Sequence, residues 1–445
     1  MKNGEKNYRH FTEKFMWIGL FLIFAVSCQK NEVFMGSDID AEATVLLNIT
    51  EVEPGTYTGE YSGGLWQISL PDPLIWNGLP GRYLLFYAHG MVDPVPYEPV
   101  SLPSDQVEGI PVKDIITGKG MGYAATSYRD NGLVVLEAVD DIKKLTDVAR
   151  QFFREKQEYL PPDFLFLGGA SEGGIVTVKT IEKYPMLFDG AISICGPIGN
   201  FYQQLQYLGD FHVLFNFFFG IPLLEEGIDL GDPTGVDPRI MAAWKMPPVP
   251  FEVIGETLLI NQLQMKILSV ILTSPETLPL LLKYAGVTVD MNDQVAMIKA
   301  VFELLRFNIM LTNDVIERMK GVPYNNTETW YTLGIPGFEE TDNWVNLGVQ
   351  RIYDRSYNRA SNFVRRYETS GKLISVPLVT IHTTGDHIIP FWHQGEYPDK
   401  IFPSRNSLIH YSIDVNRYGH STIDISHIEE ALRFLQAHTL MQAGN

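Results

Sequence analysis

The chain has 445 residues, of which 45% are apolar and 20% charged. That balance excludes an intrinsically disordered chain and leaves room for a sizeable buried core. The formal net charge of −19 excludes nucleic acid as a partner, because phosphates would be repelled.

At the N-terminus, Lys2, Lys6, Arg9 and Lys14 surround the start of an uncharged apolar run of 12 residues, 15–26. The run is too short to span a bilayer and has the length of a signal-peptide core. It ends in Ala25-Val26-Ser27-Cys28, which resembles a bacterial lipobox. The resemblance implies removal of residues 1–27, lipidation of Cys28 and a lipid-anchored place in a bacterial cell envelope, periplasmic or on the outer surface. An ordinary secretory signal with an incidental cysteine is the alternative, and both readings predict export. Residues 28–55 are polar and predict a tether, with one strand over 44–49. A lipid on Cys28 would leave Cys195 alone, so no intramolecular disulfide is expected and Cys195 reads as a small buried hydrophobe.

From residue 56 onward strands and helices alternate. Residues 65–70 alternate at period two and predict an antiparallel edge hairpin. Continuous apolar runs at 83–88, 122–128, 164–168, 190–194 and 377–382 predict buried parallel strands. Helical periodicity fills 136–159, with Val139, Ile142, Leu145, Val148 and Phe152 on one face, and then 175–184. This rhythm predicts a doubly wound, mostly parallel α/β sheet. It stops at 197 and resumes at 371, and the interval 197–370 reads as a helical cap inserted between two parts of one core, 56–196 and 371–445. Within the cap, 258–272 and a stretch around Val295, Ile298, Val301, Phe302 and Leu305 predict amphipathic helices.

Gly169-x-Ser171-x-Gly173 closes the 164–168 strand and opens the next helix. A serine hydroxyl must stand clear of the sheet to meet both a base and a carbonyl, and a tight strand-to-helix turn flanked by glycines lifts it there. The acid is expected after a later strand: Gly385-Asp386 in a tight bend after 376–384 fits, which Asp399, Asp414 and Asp424 do not. Among ten histidines, His420 in Arg417-Tyr-Gly-His420 is the late one that falls on a loop, between a strand at 407–413 and a last helix carrying His427 and His438. The strand 84–88 opens into His89-Gly90-Met91, with His89 read as a brace for that loop.

Four parts in this order, each on the right kind of element, resemble the α/β-hydrolase superfamily, whose triad runs Ser, Asp, His along the chain. The resemblance implies that Ser171, Asp386 and His420 are catalytic. It also implies an oxyanion hole from Glu172 and Met91, with Gly90 as the other choice for the second donor. The stretches 122–132 and 382–386 are similar to bacterial secreted esterases and peptidase-like hydrolases. They imply acyl transfer through an acyl-enzyme, with no metal or organic cofactor. The expected partner is a small-molecule or oligomeric ester, and the membrane is met only through the N-terminal lipid. A serine peptidase or aminopeptidase, with Glu225, Glu226, Asp229 and Asp232 holding a substrate amine, is the second reading; a non-catalytic binding lipoprotein is the third.

Two other signals point away from cofactors. Gly118-x-Gly120-x-Gly122 precedes a strand and opens no helix, so it fails the condition for a dinucleotide loop. His382, Asp386, His387 and His393 match no zinc spacing. Five phenylalanines in 211–224 suggest either an aromatic-accepting pocket or cap packing, and the choice stays open at this point.

Overall fold

A computed structural model describes residues 47–94, 98–372, 376–401 and 409–443. The predicted signal peptide, the lipidation site Cys28 and most of the predicted tether lie outside them. Nine strands form one sheet: β1 Thr50–Glu53, β2 Thr56–Tyr61, β3 Gly64–Ser69, β4 Tyr83–Ala88, β5 Gly122–Thr126, β6 Phe164–Ala170, β7 Gly190–Ile194, β8 Leu378–Gly385 and β9 His410–Tyr418. Their order is β1-β2-β3-β5-β4-β6-β7-β8-β9. The first three and the β3/β5 pair are antiparallel, and every pair from β5 to β9 is parallel. This is the doubly wound, mostly parallel sheet expected from the strand and helix rhythm, and its arrangement fits the α/β-hydrolase fold.

The boundary at residue 56 needs correction. β1 pairs with β2 and belongs to the sheet, so the core begins no later than Thr50; of the strand expected at 44–49, only 47–49 are among the described residues, and they carry no strand. The burial pattern explains the miss: every residue of β1 is exposed, so nothing apolar marks it as an edge strand.

Helices cover both faces. α1 Val135–Glu155 and α2 Glu172–Lys183 pack on one face, where Trp66, Phe86, Phe152, Leu167 and Ile175 are fully buried. The C-terminal helix, Ile425–Ala443, lies on the other face, over a core containing Phe166, Val379 and Ile381. Burial on both faces is why these strands read as unbroken apolar runs.

The cap carries its own core. α3 Phe201–Phe215 continues through a π-helical turn, Asn216–Gly220, and α4 Gln262–Thr273 and α5 Gln294–Arg318 pack with it. The expected helix at 258–272 begins later than its apolar pattern suggests. Val249–Val253 and Glu256–Ile260 form an antiparallel hairpin, and Asn261 then starts α4 through a reciprocal capping box with Gln264. Phe211, Phe215 and Phe219 are buried inside the cap, and Phe217 and Phe218 pack against Trp344, so the phenylalanine-rich stretch serves cap packing.

Glycine is required at the turn after β6 by close approach. A Cβ on Gly173 would fall on the carbonyl oxygen of Ala88, and one on Gly169 would fall on that of Gly173. Gly173→Ala is therefore expected to destabilise the protein by about 2 kcal/mol, the cost of overpacking a closed site. A lower urea midpoint at unchanged m-value checks this.

Candidate active site

β4 and β6 are neighbours in register, with Ala88 opposite Gly169, so the loops leaving their C-terminal ends meet. The chain order reverses around β4, and ligands of open α/β sheets bind outside the strand ends at such a point. Ser171 stands there at φ 56°, ψ −122°, a conformation that ordinary side chains avoid. Its amide donates to the Ile194 carbonyl (2.8 Å), and its own carbonyl accepts from Gly174 N–H (2.9 Å), which fixes the bend.

Asp386 and His420 arrive from the far edge of the parallel block. Asp386 follows β8 and is fully buried. Its Oδ1 accepts the backbone N–H groups of Ile388 and Ile389, both at 2.9 Å. Its Oδ2 accepts from His420 Nδ1 at 2.7 Å. His420 sits just past β9, after Gly419, whose φ of 99° demands glycine. The Gly419 amide donates to the Gly385 carbonyl (3.0 Å) and its carbonyl accepts from Thr383 Oγ1 (2.8 Å), so the β8 and β9 loops are tied together. His420 Nε2 lies 2.9 Å from Ser171 Oγ. A carboxylate only accepts, so neutral His420 carries its proton on Nδ1 and Nε2 is left to accept from the serine hydroxyl.

The electrostatics follow from these contacts. Burial pushes the His420 imidazole down, but the charge and hydrogen bond of Asp386, with Glu303 beyond, hold it above its ordinary 6.5. Burial pushes Asp386 up, and His420, His382 and the Ile389 amide outweigh it and hold the carboxyl below 3.8. Glu172, the residue after the serine, is buried and its carboxyl is pushed up to about 8. Desolvation dominates there and Asp314 and Glu137 add to it, whereas the Val134 amide and Arg318 oppose it.

The loop after β4 passes beside the serine. A Cβ on Gly90 would stand 3.5 Å from that of Ser171. His89 braces the loop as expected from its position: its ring lies 3.9 Å from that of Tyr128, its Nδ1 donates to the Gly90 carbonyl (2.6 Å), and Tyr128 OH donates to the His89 carbonyl (3.2 Å). The other histidines near Asp386 have separate partners. His382 Nε2 bonds the Ile389 carbonyl (2.8 Å), His387 Nε2 bonds Glu303 (2.6 Å), and His393 Nδ1 accepts the Gly199 amide (3.0 Å). Cys195, His382 and Asp386 do lie close enough to share an ion, but Asp386 there is already committed to His420. Cys195 is fully buried, as its apolar surroundings predicted.

Two cavities meet at Ser171. One, of about 100 Å³, runs between α2 and the cap helices α3 and α5; the other, of about 270 Å³, opens on the His420 side. Glu225, Glu226, Asp229 and Asp232 line neither, and Asp229 and Asp232 instead accept the backbone amides of Gly231 and Thr234. The sequence reading did not single out Arg306 and Phe307. Both lie on α5 over the serine, with Arg306 held by Asp93 (Nη2 to Oδ1, 2.9 Å). Helical periodicity identifies α5 as amphipathic but carries no signal for which polar turn faces the site.

No protein-family model matches the sequence, and no curated protein is similar to it in sequence. Solved structures resemble it at low identity. Est1E from Butyrivibrio proteoclasticus is 10% identical, with 86% of this chain and 99% of that one covered and a TM-score of 0.36. Feruloyl esterase B from Aspergillus oryzae is 14% identical, covering 82% and 73%, with a TM-score of 0.40. The rice cell wall degrading esterase LipA from Xanthomonas oryzae is 11% identical, covering 88% and 90%, with a TM-score of 0.38.

The geometry predicts the titration of His420. Its imidazole should titrate above 6.5 in the wild-type protein and below 6.5 in Asp386→Asn, where desolvation acts with the carboxylate gone. Histidine ring NMR against pH measures both values. The linkage has two matching signs: the stabilisation of this pair is complete between pH 3.8 and 6.5, is lost as pH rises through the folded value of His420, and is lost as pH falls through the folded value of Asp386.

Proposed function

We propose that the protein is an exported serine hydrolase that cleaves a carboxylic ester through Ser171, His420 and Asp386. The observation that carries this reading is the unbroken chain of hydrogen bonds from Ser171 Oγ to His420 to Asp386, at 2.9 and 2.7 Å. Ser171 Oγ attacks the ester carbonyl as its proton passes to His420 Nε2, and buried Asp386 stabilises the imidazolium. The oxyanion faces the N–H of Glu172, at the first turn of α2 where the helix dipole is positive, and the N–H of Met91, or of Gly90, from the braced loop. His420 returns its proton to the leaving alcohol, and water then repeats the cycle on the acyl-enzyme.

The carboxyl of Glu172 has a place in this chemistry. As a neutral acid it accepts the Val134 amide (2.7 Å) without placing a negative charge beside the oxyanion. A carboxylate there would oppose the transition state. The peptidase reading loses its amine-binding residues, because the four acidic side chains assigned to that role line neither cavity.

A fluorophosphonate should label the wild-type protein and not Ser171→Ala, and the substitution should lower kcat on p-nitrophenyl esters roughly 10⁴-fold or more. Aminoacyl-nitroanilides turned over faster than esters would favour the peptidase. The kcat/KM profile should be bell-shaped, falling in acid through a value above 6.5 as His420 protonates and falling in alkali near 8 as Glu172 ionises. Glu172→Gln should remove the alkaline limb and keep the acid limb. For location, metabolic labelling with a palmitate analogue should be lost in Cys28→Ala; retained label would remove the lipid anchor.

A further inference from the structure

The two cavities at Ser171 differ in a way that orients the ester. They share Met91, Ser171 and Phe307, but His420 lines only the larger one and Glu172 only the smaller. A general acid must come within hydrogen-bond reach of the oxygen it protonates, so the leaving alcohol has to lie on the side of His420. The oxyanion points at the backbone donors, and the remaining substituent of the carbonyl carbon, its acyl chain, is left with the smaller cavity.

The walls suit that division. Ile175 of α2, Leu205 and Leu208 of α3, and Phe307 and Leu311 of α5 line the smaller cavity. Its polar neighbours spend their hydrogen bonds inside the protein. Gln204 bonds the Ile388 carbonyl and His393, Asn308 bonds the Leu304 carbonyl, and Thr312 bonds the Asn308 carbonyl. Tyr324 OH donates to Asp210 (2.7 Å). Among the described residues no acidic or basic side chain lines it besides Glu172, whose Oε1 is taken by the Val134 amide. The larger cavity has a mixed lining, with Asp105, Gln106 and Arg306 beside Val107, Val112, Ile116 and Ile194, and it has the greater room.

We infer that this enzyme selects short, saturated acyl groups of about four to six carbons, held in the α2–α3–α5 cavity, and releases a bulkier alcohol past His420 and Arg306. The inference rests on the ester reading above. Its scale comes from volume: an apolar cavity of about 150 Å³ admits benzene, with six carbons, and stays dry when empty. The cavity of about 100 Å³ takes a chain of similar or smaller size.

The test is kcat/KM of the wild-type protein on p-nitrophenyl esters from acetate to dodecanoate. It should rise about fourfold per methylene while the chain is being buried, peak between butanoate and hexanoate, and fall for longer chains. Leu208→Ala should move the peak to longer chains and Leu208→Trp to shorter ones, with thermal melts establishing that both fold. The opposite displacements cannot come from general loss of structure, and the same pair at Leu205 repeats the measurement one turn away. A series of alkyl butanoates varying only the alcohol should keep its relative order in both Leu208 variants. A flat acyl profile, a peak at acetate or decanoate, or an alcohol order that moves with Leu208 would overturn the inference while leaving the ester reading intact. Absence of Ser171-dependent turnover of every ester would overturn that reading, and this inference with it.

Discussion

The backbone of Ser171, bent to φ 56° and ψ −122°, is the constraint on which the site depends. Such a conformation costs on the order of 1–3 kcal/mol and persists only where its surroundings over-determine it. Here they do so from three sides. The Ile194 carbonyl holds the serine amide, the first turn of α2 holds its carbonyl, and Gly173 lets that helix press against the carbonyl end of β4. The bend in turn sets the serine hydroxyl clear of the sheet and beside the loop that carries Gly90 and Met91. Relaxing it would separate the hydroxyl from His420 even with every side chain retained.

The same bend links the cap to the chemistry. Glu172, the first residue of α2, bonds the Val134 amide, and the adjacent Leu133 amide bonds Asp314 of cap helix α5. Asp314 also pairs with Arg318, whose guanidinium reaches the Asn131 carbonyl and Asp130 (2.8 and 2.9 Å). At the other end of the site Glu303, on α5, bonds His387 beside Asp386, and Tyr207 of α3 bonds the His387 carbonyl (2.6 Å). The cap is thus fastened on both sides of the serine, and α5 supplies a wall of each cavity. Of these links, Glu172 is the one that directly follows Ser171 in the chain.

The two cavities give the proposed reaction a direction. A narrow apolar recess lies on one side of Ser171, and a wider space of mixed lining, with Asp105, Gln106 and Arg306 set among Val107, Val112, Ile116 and Ile194, lies on the side of His420. Cap helices α3 and α5 supply much of the narrower cavity, whereas the wider one is lined mainly by the sheet core, with Arg306 and Phe307 the cap's share of it.

How much of this was legible in the chain depends on the range of the forces involved. Local signals were enough for the central strands, α1 and α2, because burial on both sheet faces leaves apolar runs and burial on one helix face leaves periodicity. They also put Ser171, Asp386 and His420 just past strand ends, because the bends there are written in glycines at fixed offsets. Exposed β1 has no apolar signal, and the hairpin before α4 has one that a helix also produces, so the pattern was silent in one case and ambiguous in the other. What only the tertiary structure decided was convergence. The hydrogen bond between His420 and Ser171 joins residues 249 positions apart, and the contact of Phe307 and Arg306 with the site depends on the angle at which an inserted helix crosses the sheet. Local sequence determines how a segment bends and which face it hides; which distant face comes to lie against it is settled by packing of the whole.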